Sequence, residues 1–329
     1  MLPLPPPNHF ARKTRRMAFE TMFRQLAGLA DFNPVISKAK RETERLTDLP
    51  YRSDGLAAHT LDVYRPRNRP GPFPILIYIH GGGFTLGSKE THRACGFLYA
   101  RMGYLVFNIN YRLAPKHPFP AAVEDACNAF CWVVTRAASY GGDIHRLTLA
   151  GESAGGNLVM AVTVAACFRR PEGYARRVWD TGVKPAAVQT LCGLLQVSNP
   201  ERFHQVSQGK SGILGKLSTG IARDVAAAYL GRQYRRHIPD YAMADPLVLI
   251  EASPIPDRPF PPIFVAVGTA DLVCSDSERL VRALASTPAT VEARYYPDEP
   301  HAFHFLPFRP AARSLWRDSK AFLDRHAPG

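Results

Sequence analysis

Apolar and polar positions along the chain are grouped in blocks. Short, nearly continuous apolar runs begin at Ile75, Leu105, Leu147, Ala186, Ile263 and Val291. Such runs are typical of strands that are covered on both faces, as in a parallel sheet. Segments between them, such as residues 121–138 and 277–286, have the apolar spacing of helices. We therefore predict an α/β fold with a mostly parallel, doubly wound sheet built from βαβ units.

Residues 42–53 and 57–67 do not fit this alternation. They flank a Ser-Asp-Gly turn, and their strand-like composition predicts an antiparallel hairpin at the edge of the sheet.

Two further stretches have helical character without a neighbouring strand. Residues 9–30 place apolar side chains on one helical face, and residues 199–245 lie between two predicted strands. We interpret both as parts of a helical cap over the sheet. Residues 9–30 could instead form a plain surface helix, or a basic amphipathic helix that contacts a membrane surface. The predicted organisation is N-terminal cap helices (1–45), a first part of the core (46–198), a cap insertion (199–245) and a second part of the core (246–329).

The chain of 329 residues has a formal net charge of +13, so a nucleic-acid partner has to be considered. Its basic residues are dispersed, and no zinc-finger, helix-turn-helix or RNP-like pattern is present. We therefore predict no nucleic-acid partner. The proline-rich start lacks the pattern of a signal peptide. No apolar run approaches the roughly 18 residues that indicate a transmembrane helix, and we predict no transmembrane segment.

The cysteine pattern predicts free thiols and a cytoplasmic location. Six cysteines are scattered through apolar segments, with no Cys-x-x-Cys pair. Without an export signal, such cysteines are expected to be reduced and mostly buried. Cys127 and Cys131 lie one helical turn apart, but no histidine or aspartate completes a four-ligand set around them. We predict no metal site.

A glycine-rich loop, His80-Gly-Gly-Gly-Phe84, directly follows the first of the apolar runs. Glycine loses more backbone entropy on folding than any other residue, so this cost indicates unusual dihedral angles or a partner that needs bare backbone. A dinucleotide fingerprint fails because Leu86 stands where its third glycine belongs. A phosphate-binding P-loop fails because serine precedes lysine after Gly87. The remaining partner is an oxygen that becomes negative during a reaction.

Ser153 stands in the pattern Gly151-Glu-Ser-Ala-Gly155, directly after a predicted strand and before a predicted helix. This is the Gly-x-Ser-x-Gly nucleophile elbow in the strand–turn–helix context that it requires. The small residues allow a tight turn that exposes the serine hydroxyl. Ser153 is therefore the predicted nucleophile.

Three motifs together resemble the hormone-sensitive-lipase-like (bacterial family IV) carboxylesterases of the α/β-hydrolase fold. They are HGGGF at 80–84, YRLAPKHPFPAAVED at 111–125 and GESAGG at 151–156. The resemblance implies that the glycine loop is an oxyanion hole, formed by the backbone N–H groups of Gly81, Gly82 and Ala154. His80 and Gly83 would then give the loop its structure. Glu152 replaces the aspartate often found before the nucleophile, and we assign it no chemistry.

The chain order of this fold places an acid and then a histidine on loops after later strands. Asp271 and His301 occupy these positions, and the family pattern supports His301 because Ala302 and Phe303 follow it. Asp276 is a rival acid, but a predicted Ser-x-x-Glu capping box from Ser275 to Glu278 would place it in the first turn of a helix. His304 is the rival base. The predicted triad is Ser153, Asp271 and His301.

The resemblance implies a serine carboxylesterase for short- to medium-chain, fairly hydrophobic esters, with a small-molecule substrate and no cofactor. An amidase or deacetylase using the same triad remains open, as does a silent ligand-binding homologue. The latter is disfavoured because all three triad positions are filled. A homodimer through the strand and helix nearest the C-terminus is common in the family and is possible here.

Overall fold

A computed structural model describes residues 33–67, 69–203, 212–231, 233–234, 238–253 and 255–329. The amphipathic helix predicted at residues 9–30 lies outside these described residues.

Eight strands form one sheet in the order β1-β2-β4-β3-β5-β6-β7-β8. Their bounds are β1 Thr43–Pro50, β2 Thr60–Pro66, β3 Phe73–Ile79, β4 Leu105–Ile109, β5 Gly142–Glu152, β6 Ala187–Leu191, β7 Ile263–Gly268 and β8 Val291–Tyr296. β2 pairs antiparallel with β1 and with β4, whereas every pair from β4 to β8 is parallel. The predicted edge hairpin and the mostly parallel sheet are confirmed.

The central strand β3 shows why its sequence carries no polar alternation. All seven of its residues, Phe-Pro-Ile-Leu-Ile-Tyr-Ile, are buried. Ile75 and Ile77 pack into the hydrophobic core on one face of the sheet, and Leu76 and Tyr78 pack into the core on the other. Successive side chains of a strand point to opposite faces, so a strand covered on both faces is apolar at every position.

Helices cover both faces of the sheet. The described α-helices are α1 Pro34–Glu42, α2 Arg93–Arg101, α3 Ala121–Arg136, α4 Ala154–Cys167, α5 Gly173–Asp180, α6 Gly212–Tyr229, α7 Pro246–Ala252, α8 Cys274–Ala285 and α9 Pro310–His326. Short 3₁₀ segments occur at Ala57–His59, Ala137–Tyr140, Ile238–Ala244 and Phe303–Phe305. The buried residues of α1, α2 and α9 belong to one core, and those of α3, α4, α5, α7 and α8 belong to the other. This is the doubly wound arrangement that the sequence predicts.

The apolar run that begins at Ala186 is only partly a strand. β6 ends at Leu191, and Cys192 adopts a φ of 41°, which stops the extended backbone. The following N–H groups bond to the site region instead: that of Leu194 donates to the carbonyl of Ser153 at 3.1 Å, and that of Leu195 donates to Asp276 at 2.9 Å. The apolar character of residues 192–195 reflects a buried loop, which the sequence pattern alone does not distinguish from a strand.

The predicted cap insertion contains α6 and the 3₁₀ segment Ile238–Ala244, between β6 and β7. Of the predicted N-terminal cap, α1 packs Ile36 and Ala39 against the sheet beside Tyr64 and Leu76. The domain boundaries themselves stay predictions. Within the described residues, no helix is long and apolar enough to cross a membrane.

Candidate active site

Ser153 lies at a sharp turn between the end of β5 and the start of α4. Its backbone has φ 55° and ψ −117°, and its N–H donates to the carbonyl of Leu191 at 2.9 Å. A non-glycine residue rarely adopts positive φ, and such strain persists only where the surroundings impose it. The surroundings here leave no room for side chains. A Cβ at Gly155 would lie 2.0 Å from the carbonyl oxygen of Ile79, and one at Gly151 would lie 2.6 Å from that of Gly155.

The structure brings Ser153, His301 and Asp271 together at the carboxyl ends of β5, β8 and β7. Nε2 of His301 lies 3.0 Å from Oγ of Ser153, and Nδ1 lies 2.8 Å from a carboxylate oxygen of Asp271. The other oxygen of Asp271 accepts the N–H of Val273 at 3.1 Å. Asp271 is buried, whereas the His301 side chain is 45% exposed. Since the carboxylate can only accept, it fixes the proton of neutral His301 on Nδ1, and Nε2 is left to accept the serine proton.

Two opposing effects act on His301. Partial desolvation of the ring lowers its pKa, but the negative charge and the hydrogen bond of Asp271 outweigh this effect, so the pKa is raised above its ordinary value. The ring is thereby a stronger base than a free imidazole.

The glycine loop approaches the nucleophile, but one of its N–H groups is already used. The N–H of Gly81 donates to the buried carboxylate of Glu152. A Cβ at Gly81 would lie 2.7 Å from that same carboxylate and 3.1 Å from the Cβ of Ser153, which explains why glycine is needed here. The prediction that Gly81 is an oxyanion donor is therefore wrong in this conformation, because an N–H bonded to a carboxylate is not available to a substrate.

The N–H groups of Gly82, Gly83 and Ala154 donate to no acceptor among the described residues. Gly82 has a φ of 114°, and a Cβ there would lie 2.2 Å from the carbonyl oxygen of Leu86. Ala154 is the first residue of α4, where the N–H has no partner within the helix. Ala154 directly follows Ser153, and a Cβ at Gly81, the residue before Gly82, would lie 3.1 Å from the Cβ of Ser153, so these N–H groups are candidate donors for an anion there.

His80 holds the loop from behind. Its Nδ1 lies 2.8 Å from the carbonyl oxygen of Gly81, and its ring stacks on Tyr111 at a centroid distance of 4.3 Å. Burial and the neighbouring His92 lower the pKa of His80 to about 3, so the ring is neutral at physiological pH. The hydroxyl of Tyr111 donates to the His80 carbonyl at 3.0 Å. These contacts agree with a loop-structuring residue.

The cap insertion packs directly on the glycine loop. The rings of Phe84 and Tyr229 stack with centroids 3.8 Å apart and planes 2° from parallel. A Cβ at Gly83 would lie 2.9 Å from a methyl group of Val225, so the loop and α6 meet without spare room. The position of Gly83, predicted to give the loop its structure, is thus defined partly by α6.

The two rival residues lie elsewhere. The carboxylate of Asp276 is fully buried and accepts the N–H of Leu195 at 2.9 Å and the Arg202 guanidinium at 2.6 Å. It lies in the first turn of α8 as predicted, but the predicted capping box is wrong. α8 has Val273 at its N-cap position with no side-chain capping bond. Ser275 Oγ is buried and has no hydrogen-bond partner.

His304 is buried against aromatic rings, with its centroid 4.3 Å from that of Phe305. Burial lowers its pKa to about 4, and its Nε2 has no hydrogen-bond partner. Its backbone carbonyl accepts the Trp316 indole N–H at 3.2 Å. His304 is therefore a core histidine of the described structure.

One group among the described residues has the spacing of metal ligands. The ligand atoms of Cys192, Asp271 and His301 lie within 4.8 Å of one another. However, His301 and Asp271 already bond to each other. Burial also raises the pKa of the Cys192 thiol well above its ordinary value, which disfavours the thiolate that a metal needs. The trio does not fit a metal ion well.

A buried polar cluster behind the loop was missed by the sequence analysis. The carboxylate of Glu152 accepts the Tyr78 hydroxyl as well as the Gly81 N–H, and lies 3.0 Å from Nε2 of His92. In the sequence, the one sign of this cluster is Glu152 itself, an acidic residue beside the nucleophile in a motif of otherwise small residues. Its partners are separated from it by 74, 71 and 60 residues, so no local pattern identifies them.

The chain matches the family model described as the alpha/beta hydrolase fold over residues 76–305. Carboxylesterase NlhH of Mycobacterium tuberculosis is 42% identical over 106 residues, which cover 32% of this chain and 33% of that protein. Esterase LipI of the same species is 31% identical over 70% of this chain and 66% of its own length. Hormone-sensitive lipase of Homo sapiens is 34% identical over 45% of this chain and 14% of its own length. The aligned regions thus span less than two thirds of each of these relatives.

Among solved structures, the thermostable carboxylesterase EstE1, cloned from a metagenomic library, aligns over 96% of this chain and 98% of its own with a TM-score of 0.73 and 25% identity. The sheet order, the elbow at Ser153 and the matched region agree with one another. The chain belongs to the α/β-hydrolase fold family and, within it, resembles the hormone-sensitive-lipase-like group.

Proposed function

We propose that this protein is a serine carboxylesterase. The observation that carries the proposal is the continuous contact from Asp271 through His301 to Ser153, at 2.8 Å and 3.0 Å, on a strained turn that leaves Ser153 partly buried. A serine hydroxyl is a weak nucleophile without an oriented base, and this arrangement supplies one. The relatives named as carboxylesterases support the same reaction class.

In the acylation step, Nε2 of His301 takes the proton of Ser153 as Oγ attacks the ester carbonyl. The carbonyl π electrons move onto oxygen, and Asp271 stabilises the imidazolium that forms. The tetrahedral intermediate then collapses, its carbon–oxygen bond to the alcohol breaks, and His301 donates the proton to the leaving alcohol. Water repeats the sequence on the acyl-enzyme, with His301 as base, and releases the acid and free Ser153.

For the oxyanion we propose the N–H groups of Gly82, Gly83 and Ala154. Ala154 directly follows Ser153, Gly82 and Gly83 continue the loop from Gly81, and all three N–H groups donate to no other described group. Donors fixed in advance of the reaction are worth far more in a water-poor site than in water, and losing one typically costs roughly 3–4 kcal/mol of transition-state stabilisation. Glycine at two of these positions keeps the approach to the substrate free of a Cβ.

The substrate class follows from what covers the loop. Phe84 and Tyr229 are fully buried against each other and Val225 packs on Gly83, so the cap covers the glycine loop with apolar side chains. Apolar lining with few polar groups suits a hydrophobic acyl or alcohol group. We therefore propose short- to medium-chain, fairly hydrophobic carboxylic esters as substrates, with the cap insertion setting chain length.

Initial rates on p-nitrophenyl esters from acetate to palmitate, for the wild type and Ser153→Ala, test this proposal. We expect turnover of short or medium chains in the wild type and a loss of several orders of magnitude in the variant. The matching p-nitroanilides form the second arm, because turnover of amides but not esters would establish an amidase or deacetylase instead. A protein that turns over neither series with Ser153 intact contradicts the proposal.

Two further parts of the proposal concern the cell and the assembly. All six cysteines are unpaired, which supports a reducing, cytoplasmic location. β8 is the last strand of the sheet, so its outer edge is a potential pairing surface for a second copy. Size-exclusion chromatography with light scattering measures the predicted homodimer directly.

A further inference from the structure

We propose that Glu152 is a positioning residue, which fixes the glycine loop at the correct distance from Ser153 through its hydrogen bond to the Gly81 N–H. This inference rests on the proposed function. Glu152 is the residue immediately before the nucleophile, so one backbone segment carries both the attacking oxygen and the acceptor that holds the loop.

The contacts of Glu152 explain why its own position is well defined. It is 2% exposed, and its carboxylate is held by the Tyr78 hydroxyl from β3 and faces His92 at the start of α2. A buried carboxylate without partners would be strongly disfavoured, and these contacts together offset the cost of burying its charge. The carboxylate in turn accepts the first N–H of the loop that follows β3.

The loop needs such an anchor because its own bonding is sparse. The carbonyl of Gly82 accepts from Thr85 and Leu86 within the loop, at 3.1 and 3.0 Å. His80 holds the Gly81 carbonyl. The hydrogen bond from the Gly81 N–H to Glu152 therefore connects the loop directly to the segment that carries Ser153. Without it, the adjacent N–H of Gly82 loses its fixed distance from Ser153 Oγ.

The charge of Glu152 has a second, measurable consequence at His301. The negative charge of Glu152 adds to that of Asp271 in raising the pKa of His301. The titratable groups near Glu152, besides His301, are Tyr78, His80, His92, Cys95, Tyr99, Tyr111 and His304. Burial raises the pKa values of the three tyrosines and the cysteine and lowers those of His80 and His304, which leaves these six groups neutral near pH 7. Cys192, the other thiol beside the triad, is likewise kept neutral by burial.

Three variants separate the role of the Glu152 side chain as a hydrogen-bond acceptor from the roles of its negative charge and of its packing. Glu152→Gln keeps an acceptor for Gly81 but removes the charge. Glu152→Leu has a similar size and leaves the Gly81 N–H without an acceptor. Tyr78→Phe is the matched control, because it removes a different hydrogen bond to the same carboxylate and leaves the Gly81 bond intact.

The first readout is the second-order rate constant for labelling of Ser153 by a fluorophosphonate probe, with the labelled protein detected by mass spectrometry. A melting curve first shows that each variant is folded. The probe requires no knowledge of the natural substrate. We expect Glu152→Leu to label about 100-fold more slowly, the usual effect of losing an oxyanion interaction. Glu152→Gln should retain most of the rate, and Tyr78→Phe should remain within about threefold of the wild type while its melting temperature falls.

The second readout is the pH dependence of labelling. Because Glu152→Gln removes a negative charge near His301, the acid limb should move to lower pH. A role confined to packing would leave that limb in place.

Equal labelling rates for Glu152→Leu and the wild type, on folded protein, would overturn this inference and leave the proposed function intact. Equal slowing in Tyr78→Phe and Glu152→Leu would also overturn it, because general loosening of the cluster would then explain the loss. A wild-type protein that is not labelled at Ser153 would overturn both the inference and the proposed function.

Discussion

Asp271 and Asp276 lie five residues apart and are both buried, yet the structure gives them different roles. Replacing each with asparagine is therefore a paired test. In Asp271→Asn, the new amide group can donate to Nδ1 of His301, which forces the ring proton onto Nε2. A ring in that state cannot accept the proton of Ser153.

The expected loss for Asp271→Asn is roughly 10⁴-fold in kcat, the effect of the equivalent change in a serine protease triad. Its folding should be little changed, since the side chain keeps its size and can still accept the Val273 N–H. Asp276→Asn should show the opposite pattern. It breaks a buried ion pair with Arg202, 2.6 Å away, and weakens the acceptor for Leu195. Breaking such a pair costs about 3–5 kcal/mol of unfolding free energy.

The assay measures kcat and KM on p-nitrophenyl butyrate, and the melting temperature of each variant by circular dichroism. We expect Asp271→Asn to lose kcat at a near-normal melting temperature. Asp276→Asn should melt several degrees lower and keep most of its kcat below that temperature. If Asp276→Asn loses as much kcat as Asp271→Asn while melting normally, the assignment of the acid is wrong.

Four further outcomes are expected. Gly155→Ala should destabilise the protein by about 3 kcal/mol or more, because its Cβ would lie 2.0 Å from the Ile79 carbonyl oxygen. Gly173→Ala is the control, because a Cβ at Gly173 would lie in open space. Equal melting temperatures for the two variants would refute the clash. The acid limb of kcat/KM should have its midpoint above pH 6.5, because Asp271 raises the pKa of His301 above that ordinary value and only the neutral ring accepts a proton; a midpoint below 6.5 would contradict this. The attraction between charged His301 and Asp271 also stabilises the fold. This stabilisation is fully present below pH 6.5 and is lost as pH rises through the raised pKa of His301, so His301→Ala should lower the melting temperature more at pH 5.5 than at pH 9. Tyr229→Ala should shift preference toward longer acyl chains, since it removes the ring stacked on Phe84; an unchanged ester profile would show that α6 does not limit the acyl group.

Much of the sheet could be predicted because burial on both faces leaves a direct mark on the sequence. The runs at Ile75 and Ile263 contain few polar residues, since each face of β3 and β7 packs against helices. The run at Ala186 shows the limit of this signal. Burial alone makes residues 192–195 apolar, whereas the loop after the positive φ of Cys192 is held by bonds from the Leu194 and Leu195 N–H groups to Ser153 and Asp276.

The candidate site divides in the same way. Ser153 was identifiable because the elbow needs small residues at fixed spacing, and Asp271 and His301 because chain order and a known motif place them. The use of the Gly81 N–H could not be predicted. It depends on the carboxylate of Glu152, 71 residues away in sequence, and on the donors from Tyr78 and His92 that keep this carboxylate buried and charged. Contacts between distant segments leave no local pattern.

The most direct test of the central claim is to trap the covalent intermediate. The wild type is mixed with p-nitrophenyl acetate, quenched in acid within one turnover, digested and analysed by mass spectrometry. The account predicts a single acetyl group on the peptide that contains Ser153, and none in Ser153→Ala. Product formation without any acetyl group on Ser153, or with the acetyl group on another residue, would contradict it.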